Sequence, residues 1–387
     1  MNSSNTTPGF SDLYEDDDEL EPDHGFHTMV GVVPRKVYLG VIYFILIFGI
    51  LGNICIICLM QYRDFRNLSY PVYLRALAVS DSLVLLTVCT EDILDHQFDL
   101  LYKFLTSSVA LCKIWVYIGN VVRLLSPWLI VALTCDRFVA VVFPLRRAVL
   151  CSRRTAMIVC ALITGLVVSE SVFFLVLSKL ISYEGESQQL CSMKDTESLT
   201  DYLHLRTLCH ETTLPCFIIL FLNVAIILTV RRSFKFRATA GTAGSSQPGG
   251  EKMSSMDKVT VSLTAVSMMA FCTLVPVSIL QVIEWERERE LLRYEETIDW
   301  HNNSSSKEQL KHLEHLEHRL QTVSDYWPPL NLLFLVNFGQ NFYVMLTTGP
   351  KYRQVVGSWF QLWRCSGQRN EAQTSRETTT SKLDSRI

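Results

Sequence analysis

The chain has 387 residues, of which 49% are hydrophobic and 19% are charged, and its formal net charge is −3. This length could accommodate two or three soluble domains, but the apolar residues are grouped in long runs rather than spread in amphipathic periods, which indicates burial in lipid. The balanced charge provides no strongly basic surface for a nucleic acid, and no nucleophile, base and oxyanion donor can be grouped as an enzyme would require.

The first 34 residues form a polar, acidic tail. It contains the run Glu15–Glu19 and has little apolar surface to bury, so we predict that residues 1–34 are disordered. No apolar central region typical of a secretory signal is visible there, so the first membrane helix is expected to act as its own insertion signal. Glycosylation sequons begin in this tail at Asn2 and Asn5.

Seven apolar stretches follow, each long enough to cross a bilayer as a helix. About 20 residues are needed, because every backbone polar group must be satisfied within the segment. The sequence therefore predicts an all-α membrane protein with a seven-transmembrane helix bundle over residues 35–350. The predicted crossings are Val37–Met60, Tyr70–Cys89, Val109–Cys135, Thr155–Leu177, Thr212–Val230, Lys258–Ile283 and Ser324–Thr348.

Basic residues set the expected orientation of the bundle. The short connections after the first, third and fifth crossings are rich in arginine and lysine, whereas the amino tail and the connection after the second crossing are acidic. By the positive-inside rule, the amino end lies outside the cell. Two further sequons, at Asn302 and Asn303, also fall on the outer side, whereas the sequon at Asn67 falls inside and should stay unmodified.

Two of the 12 cysteines are placed to form a disulfide. Cys112 lies at the outer end of the third crossing and Cys191 in the outer connection before the fifth, in an oxidising compartment where a bridge persists. We predict a Cys112–Cys191 disulfide, with Cys209 as the competing partner. Most of the others lie within crossings or on the inner side, where small buried hydrophobes or reduced thiols are expected.

The outer connection between the last two crossings, residues 284–323, is long for a helix bundle. We predict two helical pieces, Trp285–Tyr294 and Lys307–Leu320, that extend the neighbouring crossings outward as a hairpin. Three histidines recur every third residue on the second piece, a spacing that suits zinc binding or acid sensing, although a solvated helical face is the simpler interpretation. They are His312, His315 and His318.

Residues 351–365 have apolar positions at a period of three to four, with basic residues between them. This pattern predicts an amphipathic helix on the inner membrane surface, in contact with lipids. Cys365 at its end is a candidate for palmitoylation, with a plain free thiol as the alternative. Residues 366–387 form a Ser/Thr-rich tail that we expect to be cytoplasmic and disordered, and such a tail suits phosphorylation.

Polar residues inside membrane helices are energetically unfavourable, so each is expected to have a partner or a pathway. Those of the first, second, third and seventh crossings supply one carboxylate and several neutral oxygens or amides, a set that suits a small hard cation or a water cluster. Each could also be a hydrogen bond between packed helices. They are Asn53, Asp81, Ser126, Asn337 and Asn341.

Short motifs follow one another in a characteristic order. They are Leu51-Gly52-Asn53, then Leu77 to Asp81, then Cys112 followed 25 positions later by Arg137 in Asp136-Arg137-Phe138, and then Asn337 to Asn341. Over residues 35–365 the chain resembles the rhodopsin-like (class A) G-protein-coupled receptors. Around Tyr73–Leu86, Thr134–Leu150 and Val336–Arg353 it resembles invertebrate neuropeptide receptors of the FMRFamide-receptor group.

The resemblance implies a multi-pass plasma-membrane receptor that signals through a heterotrimeric G protein, with arrestin as a further partner. In this family the residues matching Asp81, Ser126 and the two asparagines of the seventh crossing hold a sodium ion that favours the inactive state, and no cofactor is required. The residue matching Arg137 docks the G protein. Asp136 beside Arg137 would act as a switch, because the arginine can pair locally in the closed bundle and be released by a partner. The alternative is a surface ion pair, which is worth little.

The chain departs from the family pattern at several positions, which include the absence of a tryptophan in the fourth crossing and Met256 in place of an ionic partner in the sixth. Leu274 stands where a tryptophan usually precedes the sixth-helix proline, Phe342 replaces the proline after the seventh-helix asparagine, and Met345 replaces the tyrosine that follows. Asn223 replaces the fifth-helix tyrosine if Pro215 is the matching proline. These departures put the usual activation relay in doubt and leave a ligand trap without signalling as an alternative. A transporter or channel is less favoured, because no internal repeat or paired broken helices are visible.

Charged residues near the outer ends of the crossings indicate a ligand pocket. A guanidinium as deep as that of Arg123 requires a carboxylate partner or a ligand anion, and the candidate internal partners are Glu91, Asp92 and Glu170. The resemblance excludes a retinal pigment and an amine receptor, because Leu335 stands in place of the required lysine and Gly119 in place of the required aspartate.

The acidic outer surface should attract a cationic ligand and speed its encounter. A peptide that ends in Arg-Phe-amide would fit, because its arginine could pair with a pocket carboxylate and its ring could enter the apolar part of the pocket. The predicted pocket residues are Glu91, Asp92, Tyr117, Arg123, Glu170, Tyr326 and Trp327.

Overall fold

The structure is a computed structural model that describes residues 29–97, 107–182, 189–193, 205–241, 255–295, 297 and 306–359. Within these ranges the chain is helical apart from short connections and two small β-hairpins, which agrees with the predicted fold class. Five predicted modification sites lie outside the described residues: Asn2, Asn5, Asn302, Asn303 and Cys365.

Among the described residues, six helices are long and apolar enough to cross a membrane. They are α1 (Arg35–Leu59), α2 (Tyr70–Gln97), α3 (Val109–Val142), α4 (Arg153–Ser171), α5 (Leu214–Gly241) and α6 (Ser255–Glu295). The seventh predicted crossing is interrupted at Gln340, between α7 (Trp327–Gly339) and α8 (Asn341–Thr348). Neither half alone has the length to span a bilayer, but the two together do.

Large apolar side chains are exposed on the outward faces of the helices. Phe44 on α1 is 60% exposed, Leu166 on α4 is 68% exposed and Phe221 on α5 is 72% exposed. Soluble proteins rarely expose so much apolar surface, whereas lipid tails solvate it well. Since buried polar residues such as Asp81 and Asn337 face the interior, this distribution of side chains is the one expected of a bundle in a bilayer.

Two crossings continue as helix beyond their apolar stretches. α6 continues past Ile283 to Glu295, which confirms that the predicted helical piece Trp285–Tyr294 extends the sixth crossing outward; glutamate and arginine continue the helix into water. α5 is preceded by a π-helical turn, Thr207–Thr213, so helical structure begins before the predicted start at Thr212. Charged residues assigned to loops therefore lie on the bundle.

The predicted amino tail ends earlier than residue 34. Strands β1 (Met29–Val30) and β2 (Val33–Pro34) form a small antiparallel hairpin. The Val32 backbone N–H donates a 3.1 Å hydrogen bond to the Asp325 carbonyl, just before α7. The hairpin thus places the start of α1 beside the start of α7.

The outer part of α6 and the helix Ser306–Ser324, here called the outer helix, form a hairpin beyond the bundle. Leu313 and Leu316 of the outer helix are buried, and Arg319 lies 3.3 Å from Glu290 of α6. The three histidines of this helix are exposed, and the described residues contain no group of His, Cys, Asp or Glu placed to hold a metal ion.

The pKa of Glu290, an exposed carboxylate of this hairpin, is lowered by its neighbours. A hydrogen bond from Arg287, together with the charge of Arg319, lowers the pKa of Glu290. A group whose pKa is lowered by folding stabilises the fold at pH values above the unfolded pKa. This contribution is therefore lost as the pH falls through the lowered pKa, and water screens it because the side chain is exposed.

The C-terminal helix described here covers residues 350–359. Tyr352 and Val355 are buried, and the Tyr352 ring lies 5.5 Å from the ring of Phe65 in the connection between α1 and α2. The contact of this helix with the inner membrane surface stays a prediction, while Tyr352 and Val355 of its apolar face pack against the bundle. Periodicity identifies an apolar face but not the surface that covers it.

Helices α1 and α7 pack at a close approach of two glycines. An added Cβ on Gly339 would lie 2.9 Å from the Cα of Gly49, which is a backbone atom that cannot rotate away. Small residues at such a crossing allow helices in a membrane to make close van der Waals contact.

We expect Gly339→Ala to destabilise the bundle by about 1–3 kcal/mol, because the extra methyl group would push α1 and α7 apart. The thermal unfolding midpoint of the purified protein in detergent measures this effect. Gly119→Ala in α3 is the matched control, since nothing lies within 4 Å of its Cβ position and alanine otherwise favours a helix. Equal midpoints for the two variants would contradict the close approach.

Candidate functional site: an outer charge network and an inner switch

Arg123, near the middle of α3, forms an ion pair with Glu91 in the outer part of α2. Its Nη2 lies 2.7 Å from Glu91 Oε2, and the Trp115 indole N–H donates a 2.7 Å hydrogen bond to Oε1. Of the three internal partners considered for Arg123, the structure therefore selects Glu91. The two ionic side chains are 33% and 37% exposed, so water reaches and weakens the pair.

Asp92 does not pair with Arg123. It accepts a 2.9 Å hydrogen bond from the Asn331 amide of α7, and the same amide donates a 2.9 Å bond to the Tyr38 hydroxyl of α1. Asp92 therefore joins α2 to α1 and α7.

Glu170 of α4 belongs to a second charge cluster, beside the π-helical turn that precedes α5. Arg206 Nε lies 3.1 Å from Glu170 Oε1, and His210 Nδ1 lies 3.0 Å from the same oxygen. Arg206 Nη1 also lies 3.5 Å from Glu211 Oε1. The sequence analysis missed Arg206, His210 and Glu211, because the predicted crossing began only at Thr212.

Arg206 and Glu211 are deeply buried, with side chains 2% and 12% exposed. The Arg206 guanidinium lies 4.9 Å from the centre of the Phe174 ring, in a cation–π contact. Arg123 lies close enough to Glu211 to interact with it electrostatically. The two clusters thus form one outer charge network, in which three carboxylates face two guanidinium groups. Its members are Glu91, Arg123, Glu170, Arg206 and Glu211.

The predicted aromatic residues lie at different places around this network. The Trp327 indole N–H donates a 2.5 Å hydrogen bond to Glu284, a residue that the sequence analysis assigned to the outer connection. The Tyr117 hydroxyl donates to the Val168 carbonyl at 3.3 Å. Tyr326 precedes α7 and is 53% exposed. Of the three, only Trp327 is held by a buried or half-buried acidic side chain.

Cys112, near the start of α3, is disulfide-bonded, whereas Cys209 is a free thiol. Strand β3 (Ser178–Ser182) pairs with strand β4 (Gln189–Met193) and places Leu180 opposite Cys191. Cys112 Sγ lies 3.8 Å from the Lys179 carbonyl oxygen of β3. This neighbourhood favours Cys191 over Cys209, and the pairing itself stays a prediction.

Asp81 of α2 lies in the centre of the bundle and is 1% exposed. Its Oδ1 accepts a 2.5 Å hydrogen bond from Ser126 of α3, and its Oδ2 accepts a 2.8 Å bond from the Asn341 amide of α8. A buried carboxylate without a cation is energetically unfavourable, because hydrogen bonds from neutral groups only partly replace its hydration.

The other two predicted members of this polar core are bonded elsewhere. Asn53 donates to the Phe338 carbonyl at 3.1 Å, and Asn337 accepts a 3.2 Å hydrogen bond from Thr273 of α6. The Oδ1 atoms of Asn53 and Asn341 are buried and form no hydrogen bond with the described residues. These oxygens and those of Asp81 and Ser126 are of the kind that a small hard cation prefers, so the donor chemistry suits sodium, whose binding stays a prediction.

Asp136 and Arg137 lie at the opposite end of α3 and are buried, 7% and 6% exposed. They form an ion pair with each other. The Ser69 hydroxyl donates to Asp136 at 2.9 Å, and it accepts a 3.2 Å hydrogen bond from Arg137. This is a buried pair with a hydroxyl bridge rather than the surface ion pair considered as the alternative.

The sequence matches the family model described as 7 transmembrane receptor (rhodopsin family) over residues 52–299, more than half of the chain. The chain belongs to this family. No curated protein shows a significant match to it. As a rhodopsin-family receptor it is a multi-pass membrane protein and not an enzyme, and membership implies in general terms a ligand and a G-protein partner.

The rhodopsin-family receptor buries the residues at which it departs from the family pattern. Leu274 and Met345 are fully buried, and Phe342 is 9% exposed. Asn223 accepts a 3.0 Å hydrogen bond from Ser267 of α6. Leu274 and Met345 can pack in the bundle but have no ring or hydroxyl group, so they cannot replace the tryptophan and the tyrosine of the usual relay.

Proposed function

We propose that this receptor lies in the plasma membrane with its amino end outside, binds an extracellular cationic peptide and activates a heterotrimeric G protein. A neuropeptide that ends in Arg-Phe-amide is the proposed ligand class. The observation that carries the proposal is the outer charge network, because its three carboxylates outnumber its two guanidinium groups even though Glu170 also has His210 beside it, and this excess of carboxylates favours a cationic ligand.

Arg123 gives this proposal a mechanism. It bonds to Glu91 and also interacts with Glu211. A ligand guanidinium could therefore take the place of Arg123 on Glu91 while Arg123 moves toward Glu211, so that Glu91 keeps a cation and Arg123 keeps a carboxylate neighbour. Exchange of one guanidinium for another avoids the penalty of an unpaired buried charge. Binding would then shift a side chain of α3, the helix that carries Asp136 and Arg137 at its other end.

At the inner end, the proposal assigns the release of Arg137 from Asp136 to G-protein docking. The buried pair and its Ser69 bridge define the closed arrangement. A partner that offers hydrogen-bond acceptors to the guanidinium would compete with these bonds and hold the bundle open.

The ligand assignment is tested with Phe-Met-Arg-Phe-amide and with the same peptide in which citrulline replaces arginine. We expect the double variant Glu91→Gln/Asp92→Asn to need at least about tenfold more of the arginine peptide for half-maximal nucleotide exchange, because the cation loses its carboxylate. On the unchanged receptor, the neutral citrulline peptide should show a similar loss.

Glu286→Gln is the matched control, since Glu286 is an exposed carboxylate on the outer part of α6. Surface expression of all variants is measured by an epitope tag at the amino end on intact cells, which also tests the proposed orientation. An unchanged dose response in the double variant would refute the ligand assignment.

A ligand trap is the second candidate function, and the replacement of relay residues by Leu274, Phe342 and Met345 favours it. Parallel G-protein and arrestin assays separate the two functions. A receptor should activate a G protein and recruit arrestin when the peptide binds. A trap should bind the peptide with neither response.

Further features of the proposed receptor follow from its orientation. We propose that Cys112 and Cys191 form the outer disulfide, that the outer sequons carry glycans and that Cys365 is palmitoylated next to the lipid surface. Mass spectrometry of the purified protein, before and after reduction and deglycosylation, tests each assignment.

A further inference from the structure

Two buried tyrosines lie near Arg137, at the end of the bundle where the chain has Met345 in place of the family's seventh-helix tyrosine. Tyr70 is the first residue of α2 and is 3% exposed; Tyr352 lies in the C-terminal helix and is 1% exposed. Neither residue belongs to the motifs that identify the family.

The Tyr70 ring contacts the switch directly. The Arg137 Cζ lies 5.0 Å from the centre of this ring, a cation–π contact that forms while Arg137 is paired with Asp136. Such contacts stabilise a cation most where water is excluded. Tyr70 also follows Ser69, the residue that bridges Asp136 and Arg137.

Tyr352 brings the C-terminal helix into contact with the neighbourhood of Tyr70. The hydroxyls of Tyr70 and Tyr352 are close enough to interact, but neither completes a well-formed hydrogen bond with the described residues. The Phe65 ring lies 6.5 Å from the Tyr70 ring and 5.5 Å from the Tyr352 ring, so it packs against both. A displacement of Tyr352 would therefore disturb the packing of Tyr70.

Lys351 attaches the C-terminal helix to the connection between α1 and α2. Lys351 Nζ lies 3.4 Å from Asp64 and 5.0 Å from the centre of the Phe65 ring. Gly349 permits the position of Tyr352, because an added Cβ would come within 2.8 Å of Tyr352 Cε2. A single methyl group at residue 349 would thus displace Tyr352 without touching Arg137.

We propose that Tyr70 and Tyr352 together hold Arg137 in its pair with Asp136, so that the position of the C-terminal helix sets how readily Arg137 is released. The inference rests on the proposed G-protein coupling. In this receptor Tyr70 of α2 and Tyr352 of the C-terminal helix restrain Arg137. Met345 of α8 has no hydroxyl group or ring with which to do so.

The test measures ligand-independent nucleotide exchange by a G protein, with equal amounts of folded receptor in lipid nanodiscs. We expect Tyr70→Leu, Tyr352→Leu and Gly349→Ala each to raise the basal rate about fivefold, since the closed arrangement loses one favourable contact. The double variant Tyr70→Leu/Tyr352→Leu should give no further rise beyond the single variants, because both act through one contact to Arg137.

Two controls separate this role from general loosening of the fold. Tyr70→Phe keeps the ring over Arg137 and should keep the basal rate near that of the unchanged receptor. Leu74→Ala removes a fully buried side chain from the same helix and the same apolar cluster, so it should lower the unfolding midpoint without raising the basal rate. A rise for Leu74→Ala equal to that for Tyr70→Leu would overturn the inference.

A second measurement distinguishes failure of this inference from failure of the proposed coupling. A genetically encoded fluorescent amino acid at position 258 reports opening of the bundle near the start of α6 without any G protein. Thiol labels are unsuitable because Cys58 and Cys272 are exposed. A changed emission in Tyr70→Leu and Gly349→Ala supports the inference even if no G protein responds. Unchanged emission together with an unchanged basal rate overturns it.

Discussion

Replacing Arg206 with methionine is expected to destabilise the receptor by roughly 3–5 kcal/mol, because it leaves Glu211 as a buried carboxylate without its nearest cation. Arg206 is 2% exposed and joins Glu170 to Glu211, and the Phe174 ring covers its guanidinium. Methionine has a similar length and no charge, so the effect arises mainly from the missing cation. The unfolding midpoint of the ligand-free protein measures it.

A second variant identifies the cause of this loss. Arg206→Met/Glu211→Gln leaves no unpaired carboxylate at residue 211, so it should regain much of the stability that Arg206→Met loses. Arg319→Met is the matched control, because the Arg319–Glu290 pair is exposed and is expected to contribute little to stability. Similar losses for Arg206→Met and Arg319→Met would show that burial does not govern these ion pairs.

The outer charge network also shows where prediction from the sequence ends. The sequence identified Arg123 and Glu170 because charges inside apolar runs are rare and conspicuous, and Glu91 because it lies at the outer end of the second run, just after Cys89. Arg206 and Glu211 lie just before the apolar run of the fifth crossing and were assigned to a loop. The π-helical turn contains Glu211 and directly follows Arg206, and this local change in backbone winding, which hydropathy does not detect, places them beside the bundle.

The polar core was more predictable than the outer network. Asp81, Ser126 and Asn341 come from three different helices, yet all are polar residues that a membrane helix would otherwise exclude. Such a residue can avoid lipid only by facing the bundle centre, and the structure joins the three by direct hydrogen bonds. Asn53 and Asn337 were grouped with them equally well, but their bonds to Phe338 and Thr273 depend on helix rotation, which periodicity alone does not fix.

At the inner end, one feature could be predicted from the sequence and another could not. The Asp136–Arg137 pair could be predicted because the two residues are adjacent and end a long apolar run. The neighbours that restrain it could not be predicted, because Ser69 and Tyr70 come from another helix and Tyr352 was assigned to a lipid-facing surface. The apolar period of residues 351–365 is equally compatible with lipid and with the bundle as a partner.

Sodium is expected to stabilise the ligand-free receptor, and Asp81→Asn is expected to abolish that effect completely. The carboxylate of Asp81 and the oxygens of Ser126, Asn53 and Asn341 would hold the ion, and sodium would supply the positive charge that the buried carboxylate lacks among its described neighbours. At a sodium concentration of 100 times Kd, binding to the folded state alone would contribute about 2.7 kcal/mol. Asparagine keeps the size of aspartate but carries no charge.

The measurement compares unfolding midpoints in sodium chloride and in choline chloride at equal ionic strength, so that screening of the outer charges is the same in both. Ser267→Ala is the matched control, because Ser267 is a buried serine that bonds to Asn223, away from Asp81. That variant should keep the full difference between the two salts. If Asp81 carried a proton instead of accompanying a cation, the unchanged receptor would show no difference between the salts, and this result would rule out the sodium site.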